Sequence, residues 1–113
     1  MKIEGPAKAL AIYIGDSDHW HGKPLSAAIV ELAKKEGMAG STVTHGVMGF
    51  GAHSRIHTAH ILRLSEDLPV VITIVDKPER IDKFLPLLDD MIQEGLVVTW
   101  DVHVEIYRTK NPI

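Results

Sequence analysis

Between Leu68 and Asp76 the chain reads LPVVITIVD, which is apolar at odd and even positions alike. A strand that alternates apolar and polar side chains wets one face, whereas one apolar on both faces is covered on both. In a chain of 113 residues that requirement leaves few architectures. One face of the sheet takes helices, and an apolar opposite face on so small a sheet calls for self-association. Hydrophobic residues make up 45% of the chain, enough for one core, and the length suits a single domain over residues 1–113.

The other elements fall around that strand. In residues 8–15, KALAIYIG, Leu10, Ile12 and Ile14 alternate with Ala9, Ala11 and Tyr13, a strand with one large-residue face. A polar turn, DSDHWHG, covers Asp16–Gly22. The spacing of Leu25, Ala28, Ile29, Leu32 and Ala33 predicts a helix over Pro24–Glu36, with Pro24 in its first turn, a Glu31–Lys35 pair on its wet side and Gly37 as its left-handed stop. Ser41–Met48 reads as a second strand. After Asp76, the Asp76/Glu79 spacing resembles a capping box with Pro78 in the first turn of a helix that buries Ile81, Phe84, Leu85, Leu88 and Met91. Pro86 should kink or split that helix near Leu85, and Gly95 should close it. The last strand sets Val98, Trp100, Val102, Val104 and Ile106 against Thr99, Asp101, His103, Glu105 and Tyr107.

The order β-α-β-β-α-β is the split βαβ, ferredoxin-like plan: an α+β sandwich with a four-stranded antiparallel sheet and two helices on one face. Val71, Thr73 and Val75 then occupy the face opposite the helices.

Several function classes fall away. Without cysteine there is no disulfide, thiolate metal site or cysteine nucleophile. A net charge of −3 offers no basic excess for nucleic acid. The opening MKIEGPAKALAIYIG has no long apolar run, and no apolar stretch approaches the roughly 20 residues that cross a bilayer, so a cytoplasmic protein with no membrane insertion is expected.

The segment that a scaffold does not need is Gly46–Asp67, GVMGFGAHSRIHTAHILRLSED. Gly49 and Gly51 would let backbone N–H groups approach a phosphate, and Arg55, joined by Arg63, would fork onto it. Alternatively, the segment is a hairpin connection whose charges keep it soluble. His53, His57 and His60 would share one face if the segment were helical and could then hold a transition metal; they are otherwise ordinary surface histidines. Asp16, Ser17 and Asp18, followed by Lys23, either cap a turn or touch a ribose or metal. His103 and Glu105 read as interface or solvent residues, whereas Arg108, at the end of the last strand, would reach a neighbouring subunit's ligand. No activated serine, triad or paired carboxylate supports an enzyme.

Three segments together, IYIGDSDHWHGKPLSAAIV (12–30), GVMGFGAHSRIHTAHILRLSEDLPVVITIVD (46–76) and FLPLLDDMIQEGLV (84–97), closely resemble the PII-like family long catalogued as a domain of unknown function. The resemblance runs from about Leu10 to Tyr107 and implies a homotrimer similar to the PII nitrogen-regulatory signalling proteins. It implies an adenine nucleotide (ADP, AMP or ATP) in intersubunit clefts and a long loop, here Gly49–Arg63, that docks on a client enzyme or membrane transporter. Carried over by position, the nucleotide-binding residues are Gly49, Gly51, Arg55, Arg63, Arg108 and Lys23. Two departures stand out. The place of the family's glycine-lysine phosphate loop reads Glu94–Gly95–Leu96–Val97, without lysine, and no tyrosine lies in the long loop. Loop uridylylation is therefore not expected. The remaining alternatives are a divalent-metal-binding trimer of the ion-tolerance type, with His53, His57 and His60 as ligands, and an interaction module with no small-molecule ligand.

Overall fold

In the computed structural model, which describes residues 2–49, 57–58 and 68–110, a four-stranded antiparallel sheet carries two helices on one face. The elements are β1 (Gly5–Gly15), β2 (His19–Trp20), β3 (Lys23–Pro24), α1 (Leu25–Lys35), β4 (Thr42–His45), β5 (Met48–Gly49), β6 (His57–Thr58), β7 (Pro69–Asp76), α2 (Pro78–Asp89) and β8 (Leu96–Val104). The sheet order is β4-β7-β1-β8, which places β7 and β1 in the middle. The predicted plan therefore holds, with two short hairpins, β2–β3 and β5–β6, added to it.

Register explains which side chains meet the helices. Leu10 lies opposite Ile74, Ile12 opposite Ile72 and Ile14 opposite Val70. These residues pack with Leu25, Ala28, Ile29 and Ala33 of α1 and with Ile81, Phe84 and Leu88 of α2. Full burial of each large member contributes ~1.5–3 kcal/mol. The other face pairs Ala9 with Val75 and Trp100, Ala11 with Thr73 and Val98, and Tyr13 with Val71 and Leu96. No helix of the described residues covers it: Tyr13 is 43%, Trp100 48% and Leu96 55% exposed. The alanines of β1 are buried even there, because large neighbours on β7 and β8 shield their short side chains.

Several expectations are corrected. Pro24 is the N-cap of α1, not part of its first turn, because Lys23–Pro24 pairs with His19–Trp20 and Leu25 N donates to Asp18 O at 2.8 Å. The polar turn thus contains a strand pair. Glu31 reaches back to Lys23 rather than forward to Lys35, with Nζ to Oε1 at 2.7 Å. There is no Asp76/Glu79 capping box: Lys77 is the N-cap of α2, without a side-chain cap bond, and the Asp76 carboxylate is engaged elsewhere. Pro86 does not split α2. It lies on the exposed side of the helix, where water can satisfy the Asp82 carbonyl that a proline leaves without its helical donor. The helix ends at Asp89, before Gly95, and Met91 N and Ile92 N both donate to Leu88 O. Finally, β8 stops at Val104, leaving Ile106 outside the sheet and 65% exposed.

Candidate functional site

The long segment after β4 leaves from one end of the sheet, where β1 ends and β7 begins. Asp16 N donates to Leu68 O at 2.9 Å, and Gly46 N donates to Pro69 O at 2.7 Å. The Asp16–Asp18 turn is the structural cap that its residue types allow. Gly15 N donates to Asp18 Oδ2 at 2.9 Å while Asp18 N donates to Gly15 O at 3.1 Å. His19 Nδ1 lies 2.6 Å from Ser17 O; a carbonyl only accepts, so Nδ1 carries the proton. His45, the last residue of β4, places Nε2 3.3 Å from Asp16 Oδ1, and both side chains are exposed.

The glycines at this end have packing duties. A Cβ on Gly46 would sit 2.6 Å from Pro69 Cγ, and one on Gly49 would sit 3.1 Å from the same atom. The absent side chain at Gly49, read from sequence as room for a phosphate, is therefore also room for the Pro69 ring. Gly49 pairs with His57, and Met48 with Thr58. His57 thus lies in a strand, so the helical spacing that would align it with His53 and His60 is not met at that residue. Gly51, Arg55, Arg63, His53 and His60 lie outside the described residues. Among the described residues no cluster of three His, Cys, Asp or Glu side chains is placed to share a metal ion.

Gly95, at the position of the missing phosphate loop, has φ +150°, and a Cβ there would meet Tyr13 O at 2.7 Å. It is needed for close backbone approach whatever it binds. Lys23 belongs to the same end of the sheet, its ammonium paired with Glu31.

Arg108 lies at the other end. Lys2 pairs with Arg108 beside the start of β1, where Gly5 faces Val104. An eleven-residue strand separates the two ends. At ~3.3 Å per residue that is roughly 30 Å, too far for side chains of one chain to share a small ligand. Around Arg108 the chain is braced: Ile3 N donates to Tyr107 O at 3.3 Å, and Tyr107 Oη donates to Ala39 O at 2.9 Å. Ala39 N in turn donates to Asp76 Oδ2 at 2.9 Å. Asp76 is fully buried and also accepts from Lys77 N and Arg80 Nε. The Arg80 guanidinium extends the network to Gly37 O. His103 Nε2 and Glu105 Oε2 are 3.7 Å apart on exposed side chains.

With this geometry in place, the relatives become informative. Residues 7–104 match the DUF190 family, described as Uncharacterized ACR. The chain belongs to that family. A UPF0166 protein of Methanocaldococcus jannaschii is 38% identical over 99 residues, covering 87% of this chain and 91% of the relative. A UPF0166 protein of Aquifex aeolicus is 33% identical over 97 residues, covering 86% and 91%. Among solved structures, the chain is similar to CPII, a nitrogen regulatory PII-like protein from Thiomonas intermedia K12, bound to ADP, AMP and bicarbonate. That likeness has a TM-score of 0.66 at 21% identity and covers 88% of each chain. A CPII structure bound to ADP, AMP and acetate gives 0.64 at 18% identity, covering 90% and 91%. The fold of this DUF190 chain is therefore that of the PII-like proteins. Among its described residues no helix is long and apolar enough to cross a membrane.

The sequence reading missed three features: the carboxylate network of Asp76, the His45–Asp16 pair, and a stacked Trp20–His21 pair with ring centroids 4.3 Å apart. Only the last had a local signal, since His21–Gly22 between two short flanks has the form of a two-residue hairpin turn.

Proposed function

We propose that this protein is a cytoplasmic, non-enzymatic regulator of the PII-like kind, which binds an adenine nucleotide between copies of itself and uses the segment 49–63 to contact a client enzyme or transporter. The observation that carries the reading is the likeness to CPII, whose structures hold ADP and AMP. Two features of this chain support it. Its open sheet face, with Tyr13, Trp100 and Leu96 exposed, fits a second copy better than water. In addition, Arg108 and the loop base stand at opposite ends of one chain, so a site using both is completed only by a neighbour. A trimer supplies three equivalent clefts of that sort.

In the mechanism, Arg55 and the glycines at 49 and 51 meet phosphate oxygens, while Arg108 of an adjoining copy adds a second cation. The nucleotide shifts the loop among its shapes by binding one of them better than the rest. Arg55→Ala is expected to weaken ADP or AMP binding by roughly 1.5–3 kcal/mol, the scale of a lost charged hydrogen bond, measured by calorimetry. Unchanged affinity removes Arg55 from the site. Light scattering that finds single chains at working concentration removes the cleft altogether.

A further inference from the structure

The β2–β3 hairpin has a feature that its structural role does not require. Its two turn residues, His21 and Gly22, have φ of +50° and +83°. Turns of this kind favour asparagine and glycine; histidine enters the left-handed region more readily than most side chains, yet glycine fits it better. His21 is the one non-glycine residue with positive φ among the described residues. Its imidazole lies flat on Trp20, with ring centroids 4.3 Å apart and planes inclined by 9°. Trp20 is partly buried against the core, and His21, stacked on it, is exposed. A residue that keeps an exposed ring where glycine would suit the turn better points to a use for the ring.

The hairpin's place suggests what that use is. It follows the turn that anchors Asp16 N on Leu68 O, at the end of the sheet from which the long segment departs. Lys23 does not lend the hairpin an open cation, because Glu31 holds its ammonium at 2.7 Å. What remains on offer is a flat aromatic surface.

We infer that the Trp20–His21 pair is a stacking platform for the purine base of the nucleotide, with the base laid on the exposed ring of His21. This rests on the nucleotide reading above. Stacking of a base on an aromatic side chain recognises the π-face and needs no hydrogen bond.

The test is calorimetry with ADP on the full chain and three variants. His21→Gly and His21→Asn suit the turn and lack an aromatic ring; His21→Tyr keeps one. ADP affinity is expected to fall roughly 5- to 150-fold in the first two, the range for removing one base stack, and to be largely retained in His21→Tyr. Thermal unfolding should show the glycine and asparagine variants at least as stable as the parent, which separates lost stacking from lost fold. If both bind ADP as the parent does, the platform is overturned while the nucleotide reading stands. If the parent itself binds no adenine nucleotide, that reading fails and the platform falls with it.

Discussion

The two ends of the sheet are held by different physics. At the Asp76 end a carboxylate with 0% exposure gathers N–H groups from Ala39, Lys77 and Arg80, and Tyr107 ties the C-terminal arm to the same loop. At the Pro69 end the segments are joined by backbone bonds such as Asp16 N to Leu68 O and by glycines closing on a proline ring. The polar side-chain pairs there, His45 with Asp16 and Lys23 with Glu31, are exposed. A buried charge binds its partners because losing one leaves the others unsatisfied. Backbone bonds and glycine packing hold the chain and leave side chains available. One end is thus built as a clamp, and the other leaves its polar side chains exposed.

The largest effect should come from breaking the clamp. Asp76→Ala leaves two backbone N–H groups and Arg80 without their acceptor, and urea unfolding is expected to show a loss of about 3 kcal/mol, the lower part of the range for breaking a buried pair because Arg80 is 33% exposed. A loss below that of an ordinary surface substitution would erase the distinction between the ends. Next comes Gly46→Ala, whose Cβ would press on Pro69 Cγ at 2.6 Å. Overpacking of that kind is expected to lower stability by about 1–3 kcal/mol, and a variant as stable as the parent would show that the base is looser than its geometry implies.

The smallest effect concerns Lys8, which bonds Asp82 of α2 at 2.7 Å on the clamped half of the sheet. The hydrogen bond to Asp82 raises the Lys8 pKa above its ordinary 10.5, desolvation lowers it in part, and the charges of Asp82 and Asp101 raise it further. Because the folded value is the higher one, the contribution is complete below the ordinary value and is lost as pH climbs through the folded value. Chemical unfolding across that alkaline range should find the parent losing stability more steeply than Asp82→Asn. Parallel curves would show the pair to be inert.

Much of the scaffold was legible because periodicity reports which side a residue faces. The apolar run of β7 and the alternation of β8 were enough to place both strands and to anticipate an uncovered apolar face. The helix stripes named Ile29, Ile81, Phe84 and Leu88 as core for the same reason. The site was less legible. Asp76 looked like a local cap because its neighbours Pro78 and Glu79 suit one, yet an important partner, Ala39, is 37 residues away in sequence. Gly49 looked like a phosphate glycine, and the ring of Pro69 gives it a second reason to be glycine. Lys23, carried over by position as a nucleotide-binding residue, has its ammonium paired with Glu31, eight residues on.

Local pattern alone determined the order of the four sheet strands and two helices, the helix stripes and the four-stranded plan, since burial of an amphipathic face is dictated by the spacing of residues along one segment. Tertiary structure alone decided which end is clamped, which glycines are packing glycines, and that Arg108 stands a strand's length from the loop base. Each of these depends on contacts between segments distant in sequence, and no spacing within one segment encodes where another will lie.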